Sequence, residues 1–291
     1  MTRATSSLTQ DKKPAGGRTI AITPLNPVIG AEIGGVDLSC PIAPTQLAEL
    51  RAALNAHHVL VFRDQHLTPE EHKRFGRLFG PLQSHPYHNS AGPGADHEIL
   101  VVKADQNSKF VAGEEWHTDL TFDAEPPMGS MLYITETPPN GGGDTLFAST
   151  IRAYEALSPA VQSFLAGLTA THGGTKPVIR GFESNVPAAG WPRSTHPVIV
   201  RHPENGRKVL FVNRGFTTKI NEISFSESNA VLEMLWRHVE TRVDFQCRVH
   251  WEPNTLVFWD NRCTQHHAVW DYFPNVRYGQ RVTIAGTKPV A

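Results

Sequence analysis

The sequence predicts a mainly β protein in which two sheets close into a barrel and a few helices pack against them. Short runs rich in Val, Ile and Phe recur along the whole chain, and such runs are typical of β-strands. Helical signals, in the form of apolar stripes and capping residues, are fewer. Many short strands with few helices indicate a double-sheet barrel.

The predicted strands follow one another from the N-terminal part of the chain to its end. They cover residues 19–23, 59–63, 99–102, 130–134, 198–201, 209–212, 245–250, 256–259 and 281–285.

The predicted helices are marked by capping signals or by apolar spacing. The first follows from the single apolar face of Leu47, Leu50 and Leu54. The second begins at Thr68, because Thr68-Pro69-Glu70-Glu71 is a capping box with proline at the first helical position; Gly80 closes it. The third and fourth begin at Ser158 and Ser224. We expect their buried stripes to be Val161, Phe164, Leu165 and Leu168, and Leu232, Leu235, Trp236 and Val239, respectively.

Composition limits the classes of function. The chain has 291 residues and a net charge of -1, which gives no indication of nucleic-acid binding. No apolar run approaches the length of a membrane span. The three cysteines are too few and too scattered for a disulfide framework.

The N-terminal segment predicts where the folded part begins. Residues 1–18 are polar, rich in Ser, Lys and Gly, and lack the apolar region of a secretory signal. We therefore expect a disordered tail at 1–18, a single domain at 19–291 and a cytoplasmic protein.

Two short segments carry the chemistry of this sequence. Trp116-His117-Thr118-Asp119 supplies an imidazole and a carboxylate, and the segment that ends Cys263-Thr264-Gln265-His266 supplies a second imidazole. On a strand, residues i and i+2 point to the same face, so His117 and Asp119 can share one metal ion. Two imidazoles and one carboxylate are the ligand set of a facial iron(II) site.

Each of these residues also has an ordinary reading. There are 15 histidines in the chain, so one His-x-Asp is expected by chance. His267 is an alternative to its neighbour His266, and Cys263 is either a soft ligand or, as we expect, a buried packing residue.

Further segments, in this order, give the sequence a resemblance to a known family. They are Ile29-Gly30-Ala31-Glu32-Ile33, Gly35-Val36-Asp37-Leu38, Val61-Phe62-Arg63-Asp64-Gln65, Gly142-Gly143-Asp144-Thr145 and Phe211-Val212-Asn213, with Arg277 and Arg281 after His266. From about Ile20 to Pro289 the chain resembles the taurine dioxygenase (TauD/TfdA) family of Fe(II)/2-oxoglutarate-dependent dioxygenases.

The resemblance implies a fold and a cofactor set. The fold is a double-stranded β-helix, or jelly roll. His117, Asp119 and His266 hold Fe(II), and dioxygen and 2-oxoglutarate (α-ketoglutarate) are the cosubstrates. Arg277 pairs with the far carboxylate of α-ketoglutarate, a contact that suits the bidentate guanidinium, and Thr145 supplies a hydroxyl contact. The alternative for Arg277 is a surface ion pair.

The same resemblance implies a site for the primary substrate. Arg281 matches the residue that binds an acidic group of the substrate, His85 a hydrogen-bonding residue and Phe216 an aromatic wall. On a strand, Arg277 and Arg281 would lie about 13 Å apart, which is too far to share one small anion. The alternatives are an ion pair with a carboxylate of this chain for Arg281, a structural role for His85 and core packing for Phe216.

Some positions depart from the taurine-binding pattern. Gly113 stands where taurine-specific members have an amine-binding asparagine, and Val178 stands at the second pocket aromatic, so taurine itself is in doubt. The stretch 173–193 has no helical pattern and many prolines and glycines, so we expect a loop over the site.

The predicted function is hydroxylation of a small anionic substrate next to its leaving group. A sulfonate would release sulfite and an alkyl sulfate would release sulfate, each with an aldehyde, succinate and CO2. The alternatives are a phenoxyalkanoate-cleaving dioxygenase and, in another class, a non-catalytic metal-binding jelly roll. We expect no nucleic-acid or membrane partner, and a homo-oligomer, dimer or tetramer, as is common in the family.

Overall fold

The computed structural model describes residues 19–84, 96–173 and 192–291. The strands are β1 (Ala21–Pro24), β2 (Ala31–Gly34), β3 (Val59–Phe62), β4 (Ile99–Ala104), β5 (Gly129–Glu136), β6 (Thr145–Ser149), β7 (Thr169–Gly173), β8 (Arg193–Pro197), β9 (Ile199–Arg201), β10 (Lys208–Leu210), β11 (Thr217–Ile220), β12 (Gln246–Val249), β13 (Thr255–Asp260), β14 (Thr264–Ala268) and β15 (Arg277–Ile284). The helices are α1 (Pro44–His57), α2 (Pro69–Arg77), α3 (Thr150–Glu155), α4 (Pro159–Leu165) and α5 (Phe225–Glu240).

The largest sheet in the described residues has seven strands in the order β1-β2-β3-β13-β5-β15-β4. Its pairs are antiparallel except for β2 with β3. β15 runs between β5 and the edge strand β4, and its register against β5 shifts between Tyr278 and Gly279. Arg277 and Arg281, both on β15, therefore lie next to the edge strand of the main sheet.

The central strands of this sheet are buried on both faces. In β13, Leu256 and Phe258 pack with helix α2, whereas Val257 and Trp259 pack on the opposite face. Strands β3 and β5 alternate in the same way. A strand buried on both sides has a nearly continuous apolar sequence, and that is why these strands are clear in the sequence.

Smaller sheets complete the β structure. β12, β6 and β14 form one three-stranded sheet, β11, β7 and β8 form another, and β10 pairs with β9. Phe147 of β6 packs in the same cluster as Val257 and Trp259, so the smaller sheet covers the inner face of the main one. The predicted double-sheet jelly roll is confirmed.

The helices cover the outer faces. α2 and α5 begin with the predicted capping boxes, at Thr68 and Ser224. α2 ends at Arg77, before the predicted Gly80. In α4 Leu165 is buried as expected, but Phe164 is exposed, so its predicted burial is wrong.

Three predictions fall outside the described residues: the tail at 1–18, His85 and Val178. The predicted loop over the site also lies outside them, except for residues 173, 192 and 193. Of the stretch 173–193, Gly173 ends β7 and pairs with Arg193 at the start of β8. Within the described ranges, no helix is both long and apolar enough to cross a bilayer.

Candidate active site

His117 and His266 lie side by side because their backbones pair directly. The N–H of His117 donates to the carbonyl of His266 at 3.1 Å, and the N–H of His266 donates back at 2.8 Å. His266 belongs to β14, where it is paired with Phe147 of β6. The smaller sheet therefore sets the position of both imidazoles, whose centroids are 4.1 Å apart.

Asp119 reaches the same place from a turn. The sequence predicts that His117 and Asp119 share a strand, but only His117 is paired, in an isolated bridge, and a turn begins at Asp119. Asn261 holds this turn: its Oδ1 accepts from the N–H of Asp119 at 2.8 Å, and its Nδ2 donates to the Asp119 carbonyl at 3.0 Å. His117 and Asp119 come together as predicted, but the prediction that they do so on a shared strand was wrong.

The ligand atoms of the three side chains surround a common point. Asp119 Oδ1 lies 3.6 Å from His117 Nε2 and 3.8 Å from His266 Nε2. Two atoms bound to one metal ion through bonds of about 2.1 Å lie at most about 4.2 Å apart, and both distances meet this limit. All three residues are buried, so a metal ion here would be shielded from bulk water.

Protonation favours metal binding. His117 Nδ1–H donates to the Glu115 carbonyl at 2.7 Å, which leaves the Nε2 lone pair towards Asp119. Burial lowers the pKa of His266 well below its usual value, which favours the neutral imidazole that a metal ion needs. Burial alone would raise the pKa of Asp119, but the opposing contributions, of which the charge of Arg281 is the largest, hold that pKa well below the usual range.

The carboxylate of Asp119 is oriented from two sides. The Ser130 hydroxyl donates to Oδ2 at 2.9 Å, and Arg281 Nη1 donates to Oδ1 at 3.1 Å. The ion pair left open for Arg281 in the sequence is thus present, and its partner is a candidate metal ligand. Arg281 Nε is buried without a hydrogen-bond partner among the described residues, and the side chain also lines the cavity beside the cluster.

Arg277 is buried without a hydrogen-bonded carboxylate in the described structure. Its Nε has no partner, and the nearby Asp144 is engaged by Arg248 and by His250, the latter at 2.8 Å. Burial lowers the pKa of Arg277, but an arginine stays charged in proteins. A surface ion pair for Arg277 is therefore wrong, and a buried cation of this kind calls for an anionic ligand.

Thr145 and Gly143 complete the surroundings of Arg277. Thr145 and Arg277 line the same cavity. Gly143 has a φ of 87°, and a Cβ there would lie 2.9 Å from Arg277 Cδ. Glycine is required at this position because a side chain would displace the guanidinium.

A cavity of about 290 Å³ connects these groups. Its polar lining comes mainly from the cluster, Arg277, Arg281, Thr145 and Lys103; most of the rest is apolar and includes Leu100, Val102, Phe110, Phe122, Leu132 and Phe216. Phe216 stands edge-on to His117, with centroids 5.9 Å apart, and is also buried against Phe122. The two roles considered for Phe216, pocket wall and core packing, are therefore compatible, because the side chain lines the cavity and is also buried.

The neighbouring candidates lie elsewhere. His267 turns away from the cluster and stacks on Trp116, with centroids 5.6 Å apart. Cys263 is buried, as expected, and its Sγ lies 3.3 Å from His58 Nδ1. Sequence reasoning missed Ser130, Asn261 and Trp251, because no local pattern marks a side chain that acts by contacting another functional residue.

Comparisons with known proteins agree with this geometry. A model of the family described as "Taurine catabolism dioxygenase TauD, TfdA family" matches residues 21–283, and the chain belongs to this family. It is 33% identical to an "Alpha-ketoglutarate-dependent sulfonate dioxygenase" of Saccharomyces cerevisiae, over 93% of this chain and 68% of the relative. It is also 33% identical to an "Alpha-ketoglutarate-dependent sulfate ester dioxygenase" of Pseudomonas putida, over 99% of this chain and 93% of the relative.

A solved structure extends the similarity to the fold. A taurine dioxygenase from Burkholderia xenovorans aligns with a TM-score of 0.81 and 36% sequence identity, covering 94% of this chain and 91% of that one. The protein is an α-ketoglutarate-dependent dioxygenase, an oxidoreductase of the class that uses ferrous iron, α-ketoglutarate and dioxygen. The residues present fit these groups: two imidazoles and a carboxylate for the metal, and an unpaired buried guanidinium for the cosubstrate.

Proposed function

We propose that this enzyme hydroxylates a monoanionic sulfonate or alkyl sulfate at the carbon next to the leaving group. His117, Asp119 and His266 hold ferrous iron, and Arg277 with Thr145 holds the far carboxylate of α-ketoglutarate. When bound, the iron and its cosubstrates supply the two-electron oxidation. The observation that carries the proposal is a buried three-ligand cluster that opens onto a cavity lined by the buried Arg277 and the partly buried Arg281.

Charge supports an anionic substrate. A ferrous ion and the guanidiniums of Arg277 and Arg281 exceed, by one positive unit, the charges of Asp119 and of doubly ionised α-ketoglutarate. A monoanion in the same cavity removes this excess. Arg281 donates one N–H to Asp119. Because a guanidinium has five N–H donors, others remain for the substrate.

The lining supports a substrate with an apolar body. Leu100, Val102, Phe110 and Phe122 offer apolar surface and no acceptor for an ammonium group. The carboxylate in the described lining, Asp119, is already engaged. Taurine, with its ammonium group, is a poor match, whereas an alkyl chain or an aryl ring would bury its surface there.

The products follow from the position of the new hydroxyl group. A carbon that carries both a hydroxyl and a sulfate ester oxygen loses the sulfate and becomes an aldehyde. In a sulfonate the carbon–sulfur bond breaks instead, and sulfite leaves. In both cases α-ketoglutarate ends as succinate and CO2. The apolar lining keeps water from the reacting carbon.

A matched substrate panel tests this proposal. We expect alkyl sulfates and alkanesulfonates of equal chain length to give oxygen-dependent succinate with stoichiometric sulfate or sulfite, and taurine to give much less. Phenoxyacetate is included as the alternative. The matched neutral alkyl methyl ether controls for the apolar body alone. Preference for the ether, or no succinate with any anion, would overturn the proposal; a non-catalytic jelly roll would give no succinate at all.

Other properties remain proposals. We propose a single domain over residues 19–291, which the continuous family match over 21–283 supports. A cytoplasmic location and a dimeric or tetrameric assembly stay predictions from the sequence, and cell fractionation and light scattering test them.

A further inference from the structure

Trp251 contacts both residues that are proposed to hold the far carboxylate of α-ketoglutarate. It lies in the loop between β12 and β13, is buried, and lines the cavity. Its Nε1–H donates to Thr145 Oγ1 at 3.0 Å. Its ring lies under the Arg277 guanidinium, with Cζ 5.1 Å from the ring centroid. Thr145 is on β6 and Arg277 on β15, so one rigid side chain connects the two sheets.

The contact with Thr145 sets the direction of its hydroxyl group. Because the indole N–H occupies one lone pair of the threonine oxygen, the hydroxyl proton is the part left to donate. No acceptor for it is found among the described residues. Threonine is also stiff about its first side-chain torsion. The hydroxyl is therefore held ready to donate to an anion in the cavity.

The contact with Arg277 places an aromatic surface against the guanidinium group. A guanidinium that lies over an aromatic ring is attracted through its face, whereas its N–H donors lie in the guanidinium plane. The Arg277 Nε–H has no partner among the described residues. The Trp251 ring thus limits the directions in which the guanidinium can turn, and the cation–π contact compensates in part for the burial of the charge.

We propose that Trp251 is a positioning residue for α-ketoglutarate, which aligns the Thr145 hydroxyl and the Arg277 guanidinium on one carboxylate. This inference rests on the assignment of Thr145 and Arg277 under the proposed function. Trp251 does not contact His117, Asp119 or His266 in the hydrogen bonds and ring pairs of the described residues, so metal affinity is separable from its role.

Two substitutions separate the two contacts. Trp251→Phe keeps an aromatic face for Arg277 but loses the N–H, and Trp251→Leu loses both. The measurement is the dissociation constant of α-ketoglutarate for the Mn(II)-loaded protein, determined by anaerobic calorimetry, with Mn(II) affinity measured separately. Trp236→Leu is the matched control, because Trp236 stacks on Arg214 at 4.9 Å but does not line the cavity.

We expect the dissociation constant to rise about two- to fivefold for Trp251→Phe and roughly tenfold or more for Trp251→Leu. Mn(II) affinity and the Trp236→Leu control should stay at the wild-type level. Adding Thr145→Val to Trp251→Phe should raise the constant less than the product of the two single effects, because the indole N–H acts through Thr145. This cycle needs only conservative variants, so it stands even if Trp251→Leu fails to fold.

The outcomes separate this inference from the function on which it rests. A lower melting temperature with an unchanged α-ketoglutarate constant would make Trp251 purely structural and overturn the proposal. If the double variant raised the α-ketoglutarate dissociation constant by the full product of the Trp251→Phe and Thr145→Val effects, Trp251 would not act through Thr145. If Arg277→Ala weakens binding but the Trp251 variants do not, this inference alone fails. If Arg277→Ala also binds normally, the cosubstrate site itself is wrongly assigned.

Discussion

Among the described residues, two buried clusters have side chains that could bind a metal, and they differ in what surrounds them. In each, three ligand atoms lie within 4.8 Å of one another: His117, Asp119 and His266 in the first, His202, Asp260 and Cys263 in the second. The first, which we call the open cluster, borders the cavity. The second, the closed cluster, does not line it.

The closed cluster has its hydrogen-bonding capacity filled by protein. His202 Nε2–H donates to Asp260 Oδ2 at 3.0 Å, and Arg262 holds both oxygens of Asp260, at 2.8 and 2.7 Å. Burial raises the pKa of the Cys263 thiol well above its usual value, so the thiol keeps its proton and donates to His58. The acceptor atoms of His202 and Asp260 are thus taken by protein donors, and a thiol that keeps its proton is a poor metal ligand.

The open cluster keeps its lone pairs. The Nε2 atoms of both histidines face Asp119 Oδ1 at distances too long for a hydrogen bond, 3.6 and 3.8 Å. Residue type and spacing are therefore necessary for a metal site but not sufficient. Unfilled ligand atoms and access from a cavity distinguish the functional cluster.

The largest expected effect is loss of turnover when the open cluster loses a ligand. His117→Ala, Asp119→Ala and His266→Ala should each reduce α-ketoglutarate-dependent succinate formation to background, because three ligands are the full set from the protein. His267→Ala is the control and should keep most activity, since His267 stacks on Trp116. The reverse result for the two neighbouring histidines would move the ligand to 267.

The next effect concerns Arg281. Arg281→Ala should cripple coupled oxidation of the primary substrate, because an anion would be left in the cavity without its cation, but spare substrate-free decarboxylation of α-ketoglutarate. Because Arg281 contacts Asp119 at 3.1 Å, metal occupancy must be measured alongside. Equal loss of both reactions at full metal occupancy would remove Arg281 from substrate binding.

A smaller effect is expected at Arg277. Arg277→Ala should weaken α-ketoglutarate binding by roughly ten- to a hundredfold, the range for a lost charge-assisted contact of about 1.5–3 kcal/mol. Metal affinity should not change. Arg277→Lys keeps the charge and should recover part of the loss, without the bidentate geometry. Unchanged cosubstrate dependence in Arg277→Ala would exclude the assignment.

The smallest expected effect is on stability, and it concerns His58, which contacts Cys263 of the closed cluster. Burial lowers the pKa of His58 to about 4, so the folded state binds this proton less readily than the unfolded state, with a pKa of about 6.5. The free energy of unfolding should therefore fall as pH falls from 6.5 to about 4. Asparagine tolerates the φ of 63° at position 58. His58→Asn should therefore fold, and its free energy of unfolding should depend on pH less steeply, by the equivalent of about one bound proton. The free energy of unfolding, measured by urea titration at several pH values, checks this prediction. The same pH dependence in His58→Asn and in the wild-type protein would contradict it.

The sequence predicted the main sheet well and the smaller sheets less well. β3 is apolar throughout, and β5 and β13 contain continuous apolar runs at 131–134 and 256–259, because both faces of these strands are buried. β14, with the sequence Thr-Gln-His-His-Ala, has no apolar alternation, because its side chains form the site instead of a core. It was missed as a strand although it carries His266.

The site was predicted through its chemistry and not through its supports. His117, Asp119 and His266 converge as expected, because iron needs those ligand types. The contacts of Asn261 with Asp119 and of Trp251 with Thr145 connect residues more than a hundred positions apart, and only the fold reveals them. The sequence allowed an ion pair for Arg281 but could not identify Asp119 as its partner, because these two residues are also distant along the chain.

The most direct test of the central claim is the number of metal ions bound per chain, measured by anaerobic equilibrium dialysis with Mn(II). We expect one ion for the wild-type protein, none for Asp119→Ala, and one for Cys263→Ser, because the last substitution alters the closed cluster only. Retention of the ion in Asp119→Ala together with its loss in Cys263→Ser would place the metal in the closed cluster and contradict the account.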